Sequence, residues 1–308
     1  MTVTLPDFVI IGAQKAASTL LLRSLRQHPE AWLPAKENPF FRDPVYDPGA
    51  LDDFAAEFSG HTERRLGFKC PDYLGRPEVP ARLHKDLSEP HLIVCLRNPV
   101  QRALAAYFWK VRWGLIPVLS AEQGLLHVLD GDYQERDPSV GDILNWGLYH
   151  QHLSRYLDYF PRERILVLFD EDLHRDPEAV MRETHGFLGI APDVIPTDLR
   201  VKQNPGIYSL ERLRFGQRRS KLMSQWDAAR TYHSIPYPKS RLKRAYTDVI
   251  AGLDRYVLAP RYSNEKPKLS PDLTNRLWEF YAQDVAALQQ LVDRDLSSWS
   301  PKPASREP

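Results

Sequence analysis

The chain has 308 residues, 43% of them hydrophobic and 26% charged, a globular composition that leaves no room for a fibrous or largely disordered reading. With 41 Lys/Arg against 40 Asp/Glu, overall charge cannot hold the protein to nucleic acid or membrane, so any basic function is local. Cys70 and Cys95 sit in apolar stretches, too few for a disulfide framework and without the neighbours of a metal site, which suits a reducing compartment.

The N-terminus, MTVTLPDFVIIGAQK, has no basic leader region, and no stretch reaches the roughly 18 apolar residues of a membrane span. The expectation is a cytoplasmic protein with no membrane partner. Phe8–Ala13 is apolar without alternation, as in a strand buried on both faces, and a helix follows with Leu21, Leu22 and Leu25 on one side, ending at His28-Pro29. Arg65–Cys70 and His91–Leu96 read as further strands. Asn98-Pro99 then opens a helix over Val100–Trp113, with Asn as cap and Pro at the first helical position. The spacing of Ile143, Trp146, Tyr149, Leu153, Tyr156, Leu157 and Phe160 predicts one long helix over Asp142–Phe160, leading into a strand at Arg164–Phe169.

Asp176-Pro177 starts a helix that stops at Gly189, and Ser270-Pro271 starts the last, with Leu277, Phe280, Tyr281, Leu288 and Leu291 as its apolar set. Strands alternating with helices argue for an α/β fold with a central parallel sheet flanked by helices. Residues 1–300 read as a single domain, with 210–262 as a basic insert within it and 301–308 as a flexible tail, the polar, proline-rich stretch from Ser298 reading as frayed. Within Leu210–Arg244 ten Lys/Arg face two acids, and Trp226, Tyr232 and Tyr237 lie among them. That mixture suits an anionic sugar, a flat small molecule or single-stranded nucleic acid, and equally a lid helix with a solvated charged face.

The turn after the first strand reads Gly12-Ala13-Gln14-Lys15-Ala16-Ala17-Ser18-Thr19. A buried strand turning directly into a helix leaves unsatisfied N–H groups at the carboxyl edge of the sheet, and here a lysine and two hydroxyls join them. Such a loop suits a phosphate; its alternative is a plain turn with a solvated lysine. It is not the G-x-x-x-x-G-K-[ST] loop, because the lysine precedes the small residues, and no acid at a following strand end stands out as a magnesium ligand.

These residues resemble the PAPS-dependent sulfotransferases, in particular the heparan sulfate sulfotransferase branch and its soluble bacterial relatives. Lys15–Thr19 is similar to that family's 5′-phosphosulfate loop, usually K-x-G-T-[ST], with Ala17 and Ser18 in place of the glycine and threonine. Leu96–Tyr107, LRNPVQRALAAY, is similar to its 3′-phosphate segment, with Ala105 where the family has a serine. KENPFF at 36–41, KCPDY at 69–73, Leu148–Asp172 and the C-terminal helix fall in the family's order, so the likeness covers most of the chain outside roughly 210–262.

The resemblance implies a P-loop-like sulfotransferase fold with the basic insert over the site, and transfer of the PAPS sulfuryl group to a hydroxyl or amino group with release of PAP and no metal. Lys15 and Lys69 would neutralise the departing 5′-phosphate. Lys15, Ala16, Ala17, Ser18 and Thr19 would hold it. Arg97 would grip the 3′-phosphate, Ala105 would lie beside it, and Tyr208 in NPGIY would stack near the adenine. Arg97 could otherwise form a salt bridge at a helix start, and Arg102 a structural pair.

Glu37 would be the general base, a carboxylate partly desolvated by neighbouring aromatic rings; its alternative is a surface acid in a polar loop. Phe40, Asp72, Tyr73 and Arg155 are candidate acceptor contacts, and His150 and His152 read as core histidines. The acceptor is expected to be a small molecule, natural product or saccharide, with nucleic acid disfavoured. Two rivals share the pattern: an ATP-dependent phosphoryl transferase of related fold, and a PAPS-binding protein without turnover.

Overall fold

A computed structural model of the chain describes residues 4–133, 137–196, 199, 206–223, 225–226, 233–234 and 240–301. In chain order the strands and α-helices are β1 (Phe8–Gly12), α1 (Ser18–Leu25), β2 (Ala31–Trp32), α2 (Leu51–Ala56), β3 (Arg65–Lys69), α3 (Val79–Asp86), β4 (His91–Leu96), α4 (Pro99–Arg112), α5 (Ala121–Asp130), α6 (Asp142–Asn145), α7 (Tyr149–Leu157), β5 (Ile165–Phe169), α8 (Asp170–Arg175), α9 (Pro177–Leu188), α10 (Leu210–Met223), β6 (Gln225–Trp226), β7 (His233–Ser234), α11 (Arg241–Leu253) and α12 (Pro271–Val292). The chain divides into two compact units, residues 1–98, 148–203 and 284–294 in the first, and residues 99–147, 204–283 and 295–308 in the second.

The first unit is built on a parallel sheet of order β2-β3-β1-β4-β5, flanked by helices. β1 lies at its centre and is buried along its whole length, which explains its unbroken apolar run. Side chains alternate across the pleat: Phe8, Ile10, Ile93, Cys95 and Leu168 join the core with α1, α8 and α9. Gly67 pairs with Phe8 across β3 and β1, and a Cβ there would fall on the Phe8 ring, so the glycine makes room for that ring.

The second unit holds α4, α5, α6, α10 and α11. Gln217 of α10 donates to the carbonyls of Val111 (3.0 Å) and Ile116 (3.3 Å), and Ser220 to that of Arg112 (2.6 Å), docking α10 on the end of α4. The expected single helix over Asp142–Phe160 is two: α6 ends at Asn145, and α7 begins only at Tyr149. Leu148, at φ −82° and ψ 72°, leaves the helical region, and a Cβ at Gly147 would lie 2.7 Å from the Tyr281 ring. A helical stripe of apolar residues thus continues across a break the spacing alone cannot show. Two smaller expectations also change: Phe280 is exposed, and Trp299, placed in the tail, is buried in a 3₁₀ turn.

Beneath β1, His28 and His185 meet edge to face with ring centroids 4.6 Å apart, both buried. His28 Nε2 lies 2.9 Å from the Ala191 carbonyl and Nδ1 accepts from the Glu30 N–H at 3.1 Å. Burial, followed by His28, pushes the His185 pKa below its ordinary 6.5. His185 is therefore neutral when folded while the unfolded chain takes up a proton as pH falls through about 6.5, so stability is full above that pH and declines below it. The urea midpoint is expected to fall between pH 7.5 and 5, and to fall less in His185→Gln; equal slopes would contradict the assignment.

Candidate active site

The loop between β1 and α1 curls through two left-handed residues, Lys15 (φ 70°) and Ala17 (φ 58°). Alternation of this kind makes a concave row of N–H groups, and Ala17 caps α1 without a side-chain hydrogen bond, leaving the first-turn N–H groups of Ser18 and Thr19 without i−4 partners. Gln14 Nε2 donates to Asp72 Oδ1 at 3.0 Å, and Arg42 pairs with Asp72 Oδ2. Asp72, expected to contact the acceptor, thus anchors the loop.

Lys69 ends β3, beside β1. Its side chain is 2% exposed, and its ammonium reaches Thr19 Oγ1 at 3.1 Å and Glu37 Oε1 at 2.9 Å. One buried cation therefore touches both the phosphate-type loop and the candidate base. Glu37 itself is 52% exposed, so the expected desolvation by aromatic rings is absent; the carboxylate is instead positioned by Lys69.

The rings support the loop from below. Tyr73 is fully buried; its hydroxyl donates to the Asn38 carbonyl (2.8 Å) and accepts from the Phe41 N–H (3.0 Å), while its own carbonyl accepts from Tyr156 (2.9 Å). Phe40 is buried against Phe54, centroids 4.8 Å apart. Both were candidate acceptor contacts, and both are instead walls of an aromatic cluster that fixes residues 38–41, with Asn38 N donating to the Lys69 carbonyl at 3.0 Å. Arg155, the fourth candidate, lies 3.3 Å from Nδ1 of the buried His152, on its own helix. The N–H groups of His150 and Gln151 donate to Asp284, each at 3.0 Å.

Arg97 leaves β4 at its carboxyl end. Its Nη1 donates to the Lys15 carbonyl at 3.3 Å, its Nε lies 3.3 Å from Asp170 Oδ2, and its own carbonyl accepts from Tyr149 at 2.8 Å. Sequence reasoning passed over Asp170, although it directly follows the apolar run of β5, the strand paired with β4. An acid does stand at a following strand end, and it is engaged by Arg97. The signal was there: in a parallel sheet, residues just past adjacent strands share one edge.

In the second unit, Ala105 is buried on α4, and Tyr208 packs edge to face on Phe108 at 5.1 Å. Asn264 clips the Tyr208 segment, accepting from Tyr208 N at 2.8 Å and donating to the Gly206 carbonyl at 2.7 Å. Arg102 is fully buried and, in place of an ion pair, donates to the carbonyls of Asp142 and Ile143. Asn204, Tyr232, Tyr237 and the side chain of Trp226 lie outside the described residues. Burial pushes the thiols of Cys70 and Cys95 well up, which suits packing and not nucleophilic chemistry.

Residues 78–206 match the family model described as Sulfotransferase domain. The chain is similar to a sulfotransferase from Alicyclobacillus acidocaldarius, with a TM-score of 0.65 and 26% identity over 96% of this chain and 99% of that one. The chain is thus similar to sulfotransferases both in sequence and in fold. Among curated relatives, the heparan sulfate glucosamine 3-O-sulfotransferase 6 of Mus musculus is 32% identical over 60% of this chain and 52% of its own length. Its Homo sapiens counterpart is 29% identical over 69% of this chain and 60% of its own length. The chain thus spans about half the length of the curated relatives it matches. The family model covers the Arg97 segment and starts well after the Lys15 loop, so the loop's role rests on its geometry.

That geometry has a measurable consequence at Ala17, where a left-handed backbone strains any residue with a Cβ. Ala17→Gly is expected to raise the unfolding free energy by about 1 kcal/mol, read as a higher urea midpoint. A lower midpoint would mean that the loop does not hold this conformation.

Proposed function

We propose that this protein is a sulfotransferase, which carries the sulfuryl group of PAPS to a hydroxyl or amino group of a small-molecule, natural-product or saccharide acceptor and releases PAP. The observation that carries the reading is the contact of the Arg97 guanidinium with the carbonyl of Lys15, which brings a candidate 3′-phosphate group and a candidate 5′-phosphate loop to one edge of the sheet. The donor set suits a nucleotide with two separate anionic groups: uncapped N–H groups, the hydroxyls of Ser18 and Thr19, two ammonium groups and a guanidinium.

In this reading Lys15 and Lys69 stabilise the charge that grows on the 5′-phosphate as its oxygen–sulfur bond breaks and the acceptor's bond to sulfur forms. Sulfuryl transfer resembles phosphoryl transfer in that positioning and electrostatics supply most of the acceleration. Glu37 accepts the acceptor's proton. Its pairing with Lys69 holds that carboxylate beside the same cation that serves the leaving group. The relatives' names specify a glucosamine hydroxyl, which supports oxygen as the acceptor atom. Two buried free cysteines support a reducing, cytoplasmic setting.

Thermal shift decides the donor before an acceptor is known. PAP is expected to raise the melting temperature without added metal, and adenosine 5′-phosphate far less, with Arg97→Ala weakening PAP about 10- to 100-fold. Glu37→Gln is expected to retain the PAP shift while slowing PAPS consumption, with water as surrogate acceptor, about 10²- to 10⁴-fold. Equal shifts from both nucleotides, or a preference for ATP with magnesium, would favour a phosphoryl transferase. Equal PAPS consumption by wild type and Glu37→Gln would mean that Glu37 is not the base, and no consumption by either would favour a PAPS-binding protein without turnover.

A further inference from the structure

Helix α11 presents two unlike faces. Its inward side is occupied: Thr247 and Ile250 are buried, and Asp254, just past its end, receives Arg212 of α10 in a two-pronged ion pair at 2.8 and 2.9 Å. Its outward side carries Leu242, Tyr246, Val249 and Leu253, continued by Tyr256 in the next turn, at successive spacings of four, three, four and three. These side chains form one row, and they are solvent-exposed: Leu242 is 84% exposed, Val249 59% and Tyr256 73%. Isolated exposed apolar residues are ordinary in a protein surface, but a continuous row on one helix face marks a contact.

Charge decides what the row contacts. Arg241 and Lys243 are exposed on its two flanks at the start of the helix, whereas the acids of the segment are Asp248 and Asp254, and Asp254 is already neutralised by Arg212. A second copy of the chain laid across the same row would set these cations against their own counterparts, which disfavours self-pairing. A surface that is apolar within and anionic without satisfies both features, and a helix with an apolar row between Lys and Arg lies well in the headgroup plane of an anionic bilayer.

We infer that α11 is a membrane-surface helix, which seats the protein on anionic lipid through Leu242, Tyr246, Val249, Leu253 and Tyr256, with Arg241 and Lys243 among the headgroups. No described helix is long and apolar enough to cross a membrane, so the contact is peripheral. The near-zero net charge of the chain argued against membrane binding by overall attraction, and the inference is consistent with that because it is local. It stands apart from the donor assignment: the residues concerned belong to α11 and the turn after it, and none is in the candidate active site.

The test is co-sedimentation of the full chain with vesicles of phosphatidylcholine and phosphatidylglycerol, roughly 3:1, beside vesicles of phosphatidylcholine alone. Wild type is expected to bind the mixed vesicles at least about tenfold more tightly than the neutral ones, and to release in high salt. Leu242→Ser with Val249→Ser, and separately Arg241→Glu with Lys243→Glu, are each expected to weaken binding about tenfold while the melting temperature stays that of wild type. Should the serine pair melt early, the charge-reversed pair carries the comparison. Failure to bind the mixed vesicles, equal binding to both kinds, undiminished binding by the charge-reversed pair, or a wild-type dimer that the serine pair abolishes would each overturn the inference.

Discussion

The guanidinium of Arg97 joins the carboxyl ends of three adjacent parallel strands. It touches the carbonyl of Lys15 beyond β1, belongs to the residue just past β4, and pairs with Asp170, the residue just past β5. Each contact limits a different freedom. The carbonyl draws the guanidinium toward the left-handed loop, Asp170 restrains its rotamers, and Tyr149 holds its backbone from α7. A flexible arginine would lose that freedom on meeting an anion; one already restrained loses less, which is how preorganisation strengthens binding. The Asp170 charge also lowers the cost of keeping a cation at a largely enclosed edge before any ligand arrives.

Lys69 performs the matching task on the other side of β1. A buried ammonium is costly unless paired, and its two partners are a hydroxyl of the loop and the carboxylate of Glu37. The half-exposed Glu37 is thereby held facing the same cation that faces the loop. Beneath it, Tyr73 and Phe40 lock the polypeptide that carries Glu37, so the aromatic residues near the site contribute position. A carboxylate in a loop becomes a credible base only when the loop cannot wander.

Much of the fold was legible because strands buried on both faces leave unbroken apolar runs, and FVII, LIVCL and ILVLF are such runs. Helix starts were legible where proline or a capping acid marked them, as at Pro99 and Asp176-Pro177. The break between α6 and α7 was not, because it depends on Gly147 lying against Tyr281, a contact distant in sequence. At the site, residue types in the loop and at Arg97 were readable from their order alone. The part played by Asp170 was not, since it follows from strand adjacency, and neither were those of Asp72 and Tyr73, whose polar atoms are spent within the protein. Residue type announces a capability; burial and partners decide whether a ligand can use it.

The most direct test of this account is a crystal structure of the protein soaked with PAP. The account expects a single nucleotide with its 5′-phosphate against the N–H groups and hydroxyls of Ser18 and Thr19 and its 3′-phosphate within hydrogen-bond reach of Arg97. A nucleotide that meets the loop while Arg97 stays turned to Asp170, out of reach of either phosphate, would contradict it.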